Sequence, residues 1–355
     1  MVIIEKYNQF EDFADDYHSS DWVFLHFIGS KNKHPLNDYP LRLYVRTSSD
    51  KEYILSFGHD EATELTLDSL VNLNNDTPKY VADIKSVYHF TDFNNVIDLQ
   101  QAEFQKHGNL VDNQIFLTTS HRFFHSKGMN NFVVPLMKHL EYCQDLFTNY
   151  KDNIGDDYNE FYQDANKVFS KIERVGLRVN RRLVPKEHLD NVSKDHLMYT
   201  NYNVLTPTGR PSNAYNGFNF AAMNKSDGTR KIIKSRYDEL IEFDFDAYHV
   251  RLVGKLIGYD FGDESVHEHF SKLYNVSYED SKTMTFKYMY GGVPDDVAKT
   301  HEFFGKVKDY YTKLWSRFKK DKVLLTNIYK RRITLNEKDF YPSKLFNYMI
   351  QSLET

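Results

Sequence analysis

The chain has 355 residues, of which 41% are apolar and 15% aromatic, so we expect two folded domains rather than a disordered chain. Its single cysteine, Cys143, excludes a disulfide framework and fits a cytoplasmic location, and we expect neither a signal peptide nor an apolar membrane span of about 18 residues. The net charge of −5 argues against nucleic-acid binding, but residues 1–170 carry −12 and residues 171–355 carry +7.

The first part of the chain is predicted to begin with β-strands. Apolar or alternating patterns predict them at residues 22–28, 41–46, 52–57 and 79–84. Helical spacing follows at residues 131–148 and 158–174, and Gly176 lies where a left-handed helix cap is expected. We place a domain boundary near residue 170, where the charge balance changes sign.

The second part is predicted to be mainly helical. Short strands are expected at residues 177–179 and 240–245, with a turn-rich loop at 206–210. Helices are expected at residues 248–257 (ending at Gly258), 278–290, 303–320 and 340–353, the last beginning near Pro342.

Asp244 and Asp246 alternate with Phe243 and Phe245 in the second of these strands. Because side chains on a strand alternate between its two faces, both carboxylates should share one face while both phenylalanines enter a core. Two adjacent carboxylates suit Mg²⁺. The alternative is the solvent-facing edge of a half-buried strand.

Lys282, Phe286 and Tyr290 recur every four residues and so share one face of the helix at 278–290. The lysine suits a triphosphate, and the two rings suit the wall of a base-binding pocket. Gly291 follows, where the backbone can approach a ligand closely. The alternative is an amphipathic helix that buries both rings while the lysine extends into solvent.

Basic residues cluster four times in the second half of the chain. The clusters are Arg178/Arg181/Arg182, Arg230/Lys231/Lys234/Arg236, Lys319/Lys320/Lys322 and Lys330/Arg331/Arg332. Taken singly, each cluster is typical of a solvated surface. Four in one half favour a surface that faces nucleic acid, and we expect Arg230 to contact DNA.

Several motifs in order resemble the family A, polymerase I-like DNA polymerases. They are IERVGLRV (172–179), TGR (208–210), D-x6-R (244–251), K-x3-F-x3-YG (282–291) and N-x3-Q (347–351). The resemblance implies an α+β fold, with the palm and fingers of a right-hand polymerase and a reduced thumb at residues 171–355. Residues 1–170 would be a degenerate RNase H-like 3′–5′ exonuclease-type domain, inactive because the expected acids are missing.

The resemblance also implies roles for individual residues. Asp244 would be the first catalytic metal ligand, with the Phe245 carbonyl and Asp246 beside it. Lys282 would neutralise the triphosphate, while Phe286 and Tyr290 would shape the base-pair pocket.

The substrates implied by the resemblance are primer-template DNA and deoxynucleoside triphosphates, with two Mg²⁺ ions as cofactor. Arg210, Arg251, Asn347 and Gln351 would contact the DNA, and His267 would lie near the incoming phosphates.

The sequence departs from the family at several positions. His249 stands where the family has a Glu that blocks a ribose 2′-hydroxyl, and Tyr278 stands where it has an Arg that grips the γ-phosphate. Both are still expected at the nucleotide site. The family's His-Asp-Glu motif, with the second catalytic Asp, is expected beyond Gln351 and does not follow it here.

We therefore predict the larger part of a split DNA polymerase, whose partner polypeptide supplies the missing Asp. Its small size fits a phage, and a host-cell cytoplasm would then be its location. A processivity factor would offset the reduced thumb, and no membrane partner is expected. The alternatives are an isolated enzyme in which Asp246 replaces the missing ligand, a non-catalytic DNA-binding replisome scaffold, and a relative of the single-subunit RNA polymerases.

Overall fold

The computed structural model describes residues 1–29, 40–57, 64–108, 144–145, 147–149, 151–154, 160–214, 218–224, 226–326, 331–334, 338 and 340–354. They form two compact units, Met1–Leu205 with Ser212–Asp238, and Thr206–Pro211 with Glu239–Thr355. This division does not fall at residue 170, which lies inside a helix. The exonuclease-like assignment of residues 1–170 stays a prediction, and the helix predicted at 131–148 lies largely outside the described residues. Within the described ranges, no helix is long and apolar enough to cross a membrane.

A six-stranded mixed sheet forms the centre of the first unit. Its strands are β1 (Val2–Ile4), β2 (Val23–Gly29), β3 (Pro40–Thr47), β4 (Glu52–Ser56), β5 (Lys79–Val81) and β6 (Val96–Asp98), in the order β1-β4-β3-β2-β5-β6. The register pairs β2 antiparallel with β3 and parallel with β5. All four strands predicted in this part of the sequence are confirmed.

The central strand β2 is mostly apolar, interrupted by the buried His26, because both faces of the sheet are covered. Val23, Leu25 and Phe27 enter the main core of the unit, while Phe24 enters a second cluster on the opposite face. A strand buried on both sides has a nearly continuous apolar run rather than an alternating one, as the sequence shows here.

Helices and short strands complete the first unit. The helices are α1 (Tyr7–His18), α2 (Ile84–Tyr88), α3 (Leu99–His107) and α4 (Glu160–Val175). The predicted left-handed cap after α4 is confirmed at Gly176, where φ is +66°. Short strands follow at β7 (Leu177–Arg178), β8 (Leu197–Met198), β9 (Asn201–Asn203) and β10 (Ser212–Ala214).

The second unit is mainly helical. Its helices are α5 (Tyr248–Ile257), α6 (Val266–Tyr274), α7 (Tyr278–Gly291), α8 (Asp295–Thr300), α9 (Glu302–Asp321) and α10 (Pro342–Glu354). A hairpin of β11 (Val323–Leu325) and β12 (Arg332–Thr334) joins α9 to the last helix. The four helices predicted here are confirmed, including the end of α5 at Gly258, where φ is +65°.

The strand predicted at residues 240–245 is wrong. Residues 239–246, which we call the acidic segment, are all exposed, and no described strand pairs with any of them. Phe243 is 89% exposed and Phe245 77%, so neither enters a core. A strand needs a neighbour to bond its backbone and cover its apolar face, and no described strand pairs with this segment.

Candidate functional site

The acidic segment carries two exposed carboxylates. Asp244 is solvent-exposed, and the Asp246 carboxylate lies 3.3 Å from a guanidinium nitrogen of Arg251. That guanidinium also donates to the Glu264 carbonyl at 2.8 Å. The strand geometry that predicted a shared face for the two carboxylates is absent. Arg251 is held to one of them, and its predicted contact with primer remains a prediction.

Helix α7 presents the predicted row of Lys282, Phe286 and Tyr290. The Phe286 and Tyr290 rings stack with centroids 5.9 Å apart and planes 4° apart. Both rings are half-buried against the core of the second unit, and Lys282 is exposed. The two aromatic rings are therefore fixed by packing, while the ammonium group of Lys282 remains available to a ligand.

His267 connects this row to the acidic segment. Its side chain is 3% exposed, and its ring lies 5.8 Å from Phe286 and 5.6 Å from Tyr278. Burial lowers the pKa of His267, the Asp246 carboxylate raises it, and the Lys282 ammonium lowers it again, with a net lowering. The imidazole is thus within electrostatic range of both the acid and the cation. In the described structure its Nδ1 has no hydrogen-bond partner.

A hydrogen-bonded network lies at the Tyr290 end of the row. The Tyr290 hydroxyl is bonded to Nδ1 of His249, and Nε2 of His249 lies 2.8 Å from the Glu354 carboxylate. Arg210 donates to the same carboxylate oxygen from Nε at 2.8 Å, and its Nη2 lies 3.1 Å from His249. The predicted DNA contact Arg210 and the predicted nucleotide contact His249 therefore share one carboxylate.

Burial, hydrogen bonds and charges in this network shift two pKa values. Burial raises the pKa of Glu354, but hydrogen bonds from His249 and Arg210 outweigh burial and bring it below its ordinary value. Burial also raises the pKa of the Tyr290 hydroxyl to about 12, so this hydroxyl is protonated at neutral pH.

Sequence reasoning missed Glu354, although a signal was present. Asn347, Gln351 and Glu354 recur at helical spacing in α10, so they share one face of that helix. Asn347 donates to the Tyr290 carbonyl at 3.4 Å, and Gln351 is half-buried on the same helix. Because Asn347 and Gln351 were predicted to contact DNA, Glu354, the next residue on the same helix face, could have been predicted to lie at the site as well.

Arg331 was also missed, because its cluster suggested a solvated surface. It is 5% exposed, and its Nη1 donates to the carbonyl of Thr208 at 2.9 Å and that of Ser352 at 3.5 Å. Gly209 has φ +75°, and a Cβ built there would lie 1.7 Å from Nη1 of Arg331. Arg331 therefore ties the turn that carries Arg210 to the helix end that carries Glu354.

The remaining predicted positions differ in their surroundings. Tyr278 is the first residue of α7 and is partly exposed beside His267. Gly291 is exposed at the end of that helix, and a Cβ there would meet nothing within 4 Å. Arg230 belongs to the first unit, and its expected contact with DNA stays a prediction.

The fit of the site to Mg²⁺ is partial. The described residues contain no group of three or more His, Cys, Asp and Glu side chains that could hold a metal ion. The Asp244 and Asp246 carboxylates and the Phe245 carbonyl are hard oxygen donors, which Mg²⁺ prefers. They fit one side of a metal site, whereas a two-metal centre needs more carboxylates than this segment offers.

The fold of the chain is similar to that of a polymerase domain. It is similar to the POL domain of Pol1 from M. smegmatis, solved in complex with DNA primer-template and dNTP, with a TM-score of 0.71 and 13% sequence identity. The similarity covers 99% of this chain and 86% of that one. The predicted resemblance to DNA polymerases is confirmed for the fold. No protein-family model matches the chain, and no curated protein matches it either.

Proposed function

We propose that this chain is a DNA-templated DNA polymerase, the larger part of a split family A enzyme. The fold is similar to that of a polymerase domain solved in complex with DNA primer-template and dNTP, which supports both substrates. One observation carries the proposal for the site. The Asp246 carboxylate and the Lys282 ammonium both act on the pKa of the His267 imidazole, whose ring lies 5.8 Å from that of Phe286, which supports a grouping of acid, cation and base-sized ring.

Each residue of the site then has a role. The exposed Asp244 carboxylate, with Asp246 and the Phe245 carbonyl, would hold Mg²⁺, which when bound stabilises charge on the reacting phosphate. Lys282 neutralises the triphosphate, and the stacked rings of Phe286 and Tyr290 form a wall for the base. The primer 3′-hydroxyl attacks the α-phosphate, and pyrophosphate leaves.

A second polypeptide completes the site in this proposal. The acidic segment is exposed, lies outside the described helices and strands, and is apolar at residues 240, 241, 243 and 245. A strand from a partner could pair with it, cover these side chains and bring a further carboxylate beside Asp244. The partner would carry the His-Asp-Glu motif that the resemblance leads us to expect.

The first test is nucleotide binding to the chain on a dideoxy-terminated primer-template. We expect binding that requires Mg²⁺ and favours the nucleotide complementary to the template. Lys282→Ala should weaken it roughly 10- to 100-fold, because a charge-assisted contact contributes about 1.5–3 kcal/mol. Lys287→Ala is the matched control, since Lys287 is an exposed lysine on the same helix.

The second test is primer extension with and without a co-expressed polypeptide that contains the His-Asp-Glu motif. We expect extension only with both chains. Robust extension by this chain alone would refute the split. DNA binding without Mg²⁺-dependent nucleotide binding would support the non-catalytic scaffold instead.

A further inference from the structure

Two basic clusters that are distant in sequence meet in the first unit. Val179 pairs with Ile233 in an antiparallel bridge. On either side of it, the Lys234 amide donates to the Arg178 carbonyl at 2.9 Å and the Asn180 amide donates to the Ile232 carbonyl at 2.7 Å. The exposed basic residues around this contact, which we call the basic face, are Arg178, Arg181, Arg182, Arg230, Lys231, Lys234 and Arg236.

The antiparallel contact fixes three of these cations close together. Arg178 and Lys234 lie directly opposite each other and so point to the same side of the pair. The Arg178 guanidinium donates to the Arg236 carbonyl at 3.4 Å, and the Arg236 guanidinium donates to the Gly176 carbonyl at 3.4 Å. The three form one compact group.

Two short 3-10 turns, Arg181–Leu183 and Thr229–Ile232, carry the other four cations and pack against each other. Val179 and Ile232, beneath the contact, are buried in a small apolar cluster of the same unit. The apolar side chains thus hold the two stretches together from within, and the cations extend into solvent.

The cations of the basic face have no salt-bridge partner in the part of the chain that the structure describes. Asp227, close by in sequence, accepts instead from the Thr229 amide at 2.8 Å. Crowded like charges repel each other, so a concentration of this kind favours a polyanionic partner.

We propose that the basic face binds the phosphodiester backbone of nucleic acid. The contact is electrostatic and independent of sequence, as expected for exposed Arg and Lys side chains without base-reading geometry. Tyr237, 84% exposed beside Arg236, adds a ring on which an unpaired base can stack. Only the identification of the nucleic acid as DNA rests on the function proposed above.

The test is fluorescence anisotropy with a blunt duplex and with a single strand of equal length, at several salt concentrations and without nucleotide or Mg²⁺. The triple variant Arg178→Gln, Arg182→Gln and Lys234→Gln should weaken binding at least about tenfold near 0.1 M salt. Its salt dependence should become shallower by about 0.9 per lost contact on duplex and about 0.7 on the single strand. The form of nucleic acid, duplex or single strand, for which the triple variant loses more affinity is the form that the basic face binds.

The matched control removes three exposed lysines from helices of the second unit, Lys255→Gln, Lys299→Gln and Lys313→Gln, with the same change in net charge. Equal affinity and equal salt dependence for the two triple variants would overturn the proposal. Lys234→Glu alone, at an exposed side chain, repeats the test if the triple variant folds poorly. Failure of the polymerase proposal would show separately, as absent extension even with the His-Asp-Glu polypeptide added, although the basic face still binds DNA.

Discussion

The acidic segment and helix α7 are the two halves of the proposed catalytic site, and they differ in how firmly the fold holds them. Residues 239–246 are exposed throughout, with no strand beside them among the described residues. Phe286 and Tyr290 of α7 pack on the core, and the hydrogen bonds of His249, Glu354 and Arg210 fix the hydroxyl of Tyr290.

This difference shows which part of the proposed chemistry the chain organises by itself. Preorganised groups cost little to order when a ligand binds, whereas an exposed segment must lose conformational freedom at that moment. The half that would meet the nucleotide is already in place. The acidic segment, which would bind the metal, would be fixed in place by a partner that covers it. In our proposal this partner is the second polypeptide.

The largest expected effect is that of Asp244→Asn. If Asp244 is the metal ligand, losing its charge should slow single-turnover extension by the completed enzyme on the order of 10³-fold, about 4 kcal/mol. The change should also remove the Mg²⁺ dependence of nucleotide binding.

Asp263→Asn removes an exposed carboxylate outside the segment and should leave extension unchanged. Asp246→Asn, compared with Asp244→Asn, shows which of the two acids holds the metal. Normal extension by the Asp244 variant would remove the acidic segment from the catalytic site.

The second prediction concerns how firmly the preorganised half is built. Gly209→Ala forces a Cβ into the Arg331 guanidinium at a backbone angle that favours glycine, and should cost about 3 kcal/mol of unfolding free energy in urea. Gly258→Ala has a similar φ of +65° but open space around it, so it should cost only about 1 kcal/mol. Equal costs would mean that the contact with Arg331 contributes nothing.

The same contrast separates what the sequence predicted from what it did not. Helical spacing, left-handed glycine caps and apolar runs are local signals, and they located α5, α7 and the strand β2 closely. The strand at 240–245 failed for a physical reason. Its alternation of apolar and acidic residues is compatible with a strand that has one buried face. A strand also needs a second strand to pair with, and the alternation does not show whether one is present.

Helical spacing could have drawn attention to Glu354, but the contacts of the network at Tyr290 could not be predicted, for a related reason. Glu354, His249 and Arg210 come from three separated stretches, and only tertiary packing brings them together. Arg331 illustrates the opposite error. Its cluster of charges is typical of a surface, yet two backbone carbonyls hold its guanidinium in the interior. Local composition predicts charge, not burial.

A pair of alanine substitutions compares the two halves by stability alone. Phe286→Ala removes a ring packed on the core and should lower the free energy of unfolding by about 1–2 kcal/mol, less than for a fully buried ring. Phe243→Ala, at a side chain that is 89% exposed, should change it by less than about 0.5 kcal/mol. A large loss at Phe243 would show that the acidic segment is packed in solution.

The smallest expected effect is a shift in the pKa of His267, which tests whether the acidic segment and helix α7 form one site. The pKa of His267 lies below the ordinary 6.5, first because of burial, with Asp246 and Lys282 acting in opposite directions. In NMR titrations of labelled histidine, Lys282→Ala should raise this pKa and Asp246→Asn should lower it, each by less than about one unit. Lys287→Ala should leave it in place.

The titration also predicts how stability depends on pH. Because the folded pKa of His267 is lower than that of the unfolded chain, the unfolded state binds more protons between the two values. The contribution of His267 to stability is therefore complete above pH 6.5 and is lost as the pH falls through the folded pKa. Lys282→Ala should narrow the pH range between the folded and unfolded pKa values of His267, and Asp246→Asn should widen it. If neither substitution moves the titration, acid and cation do not act on the same imidazole, and the acidic segment and α7 belong to separate surfaces.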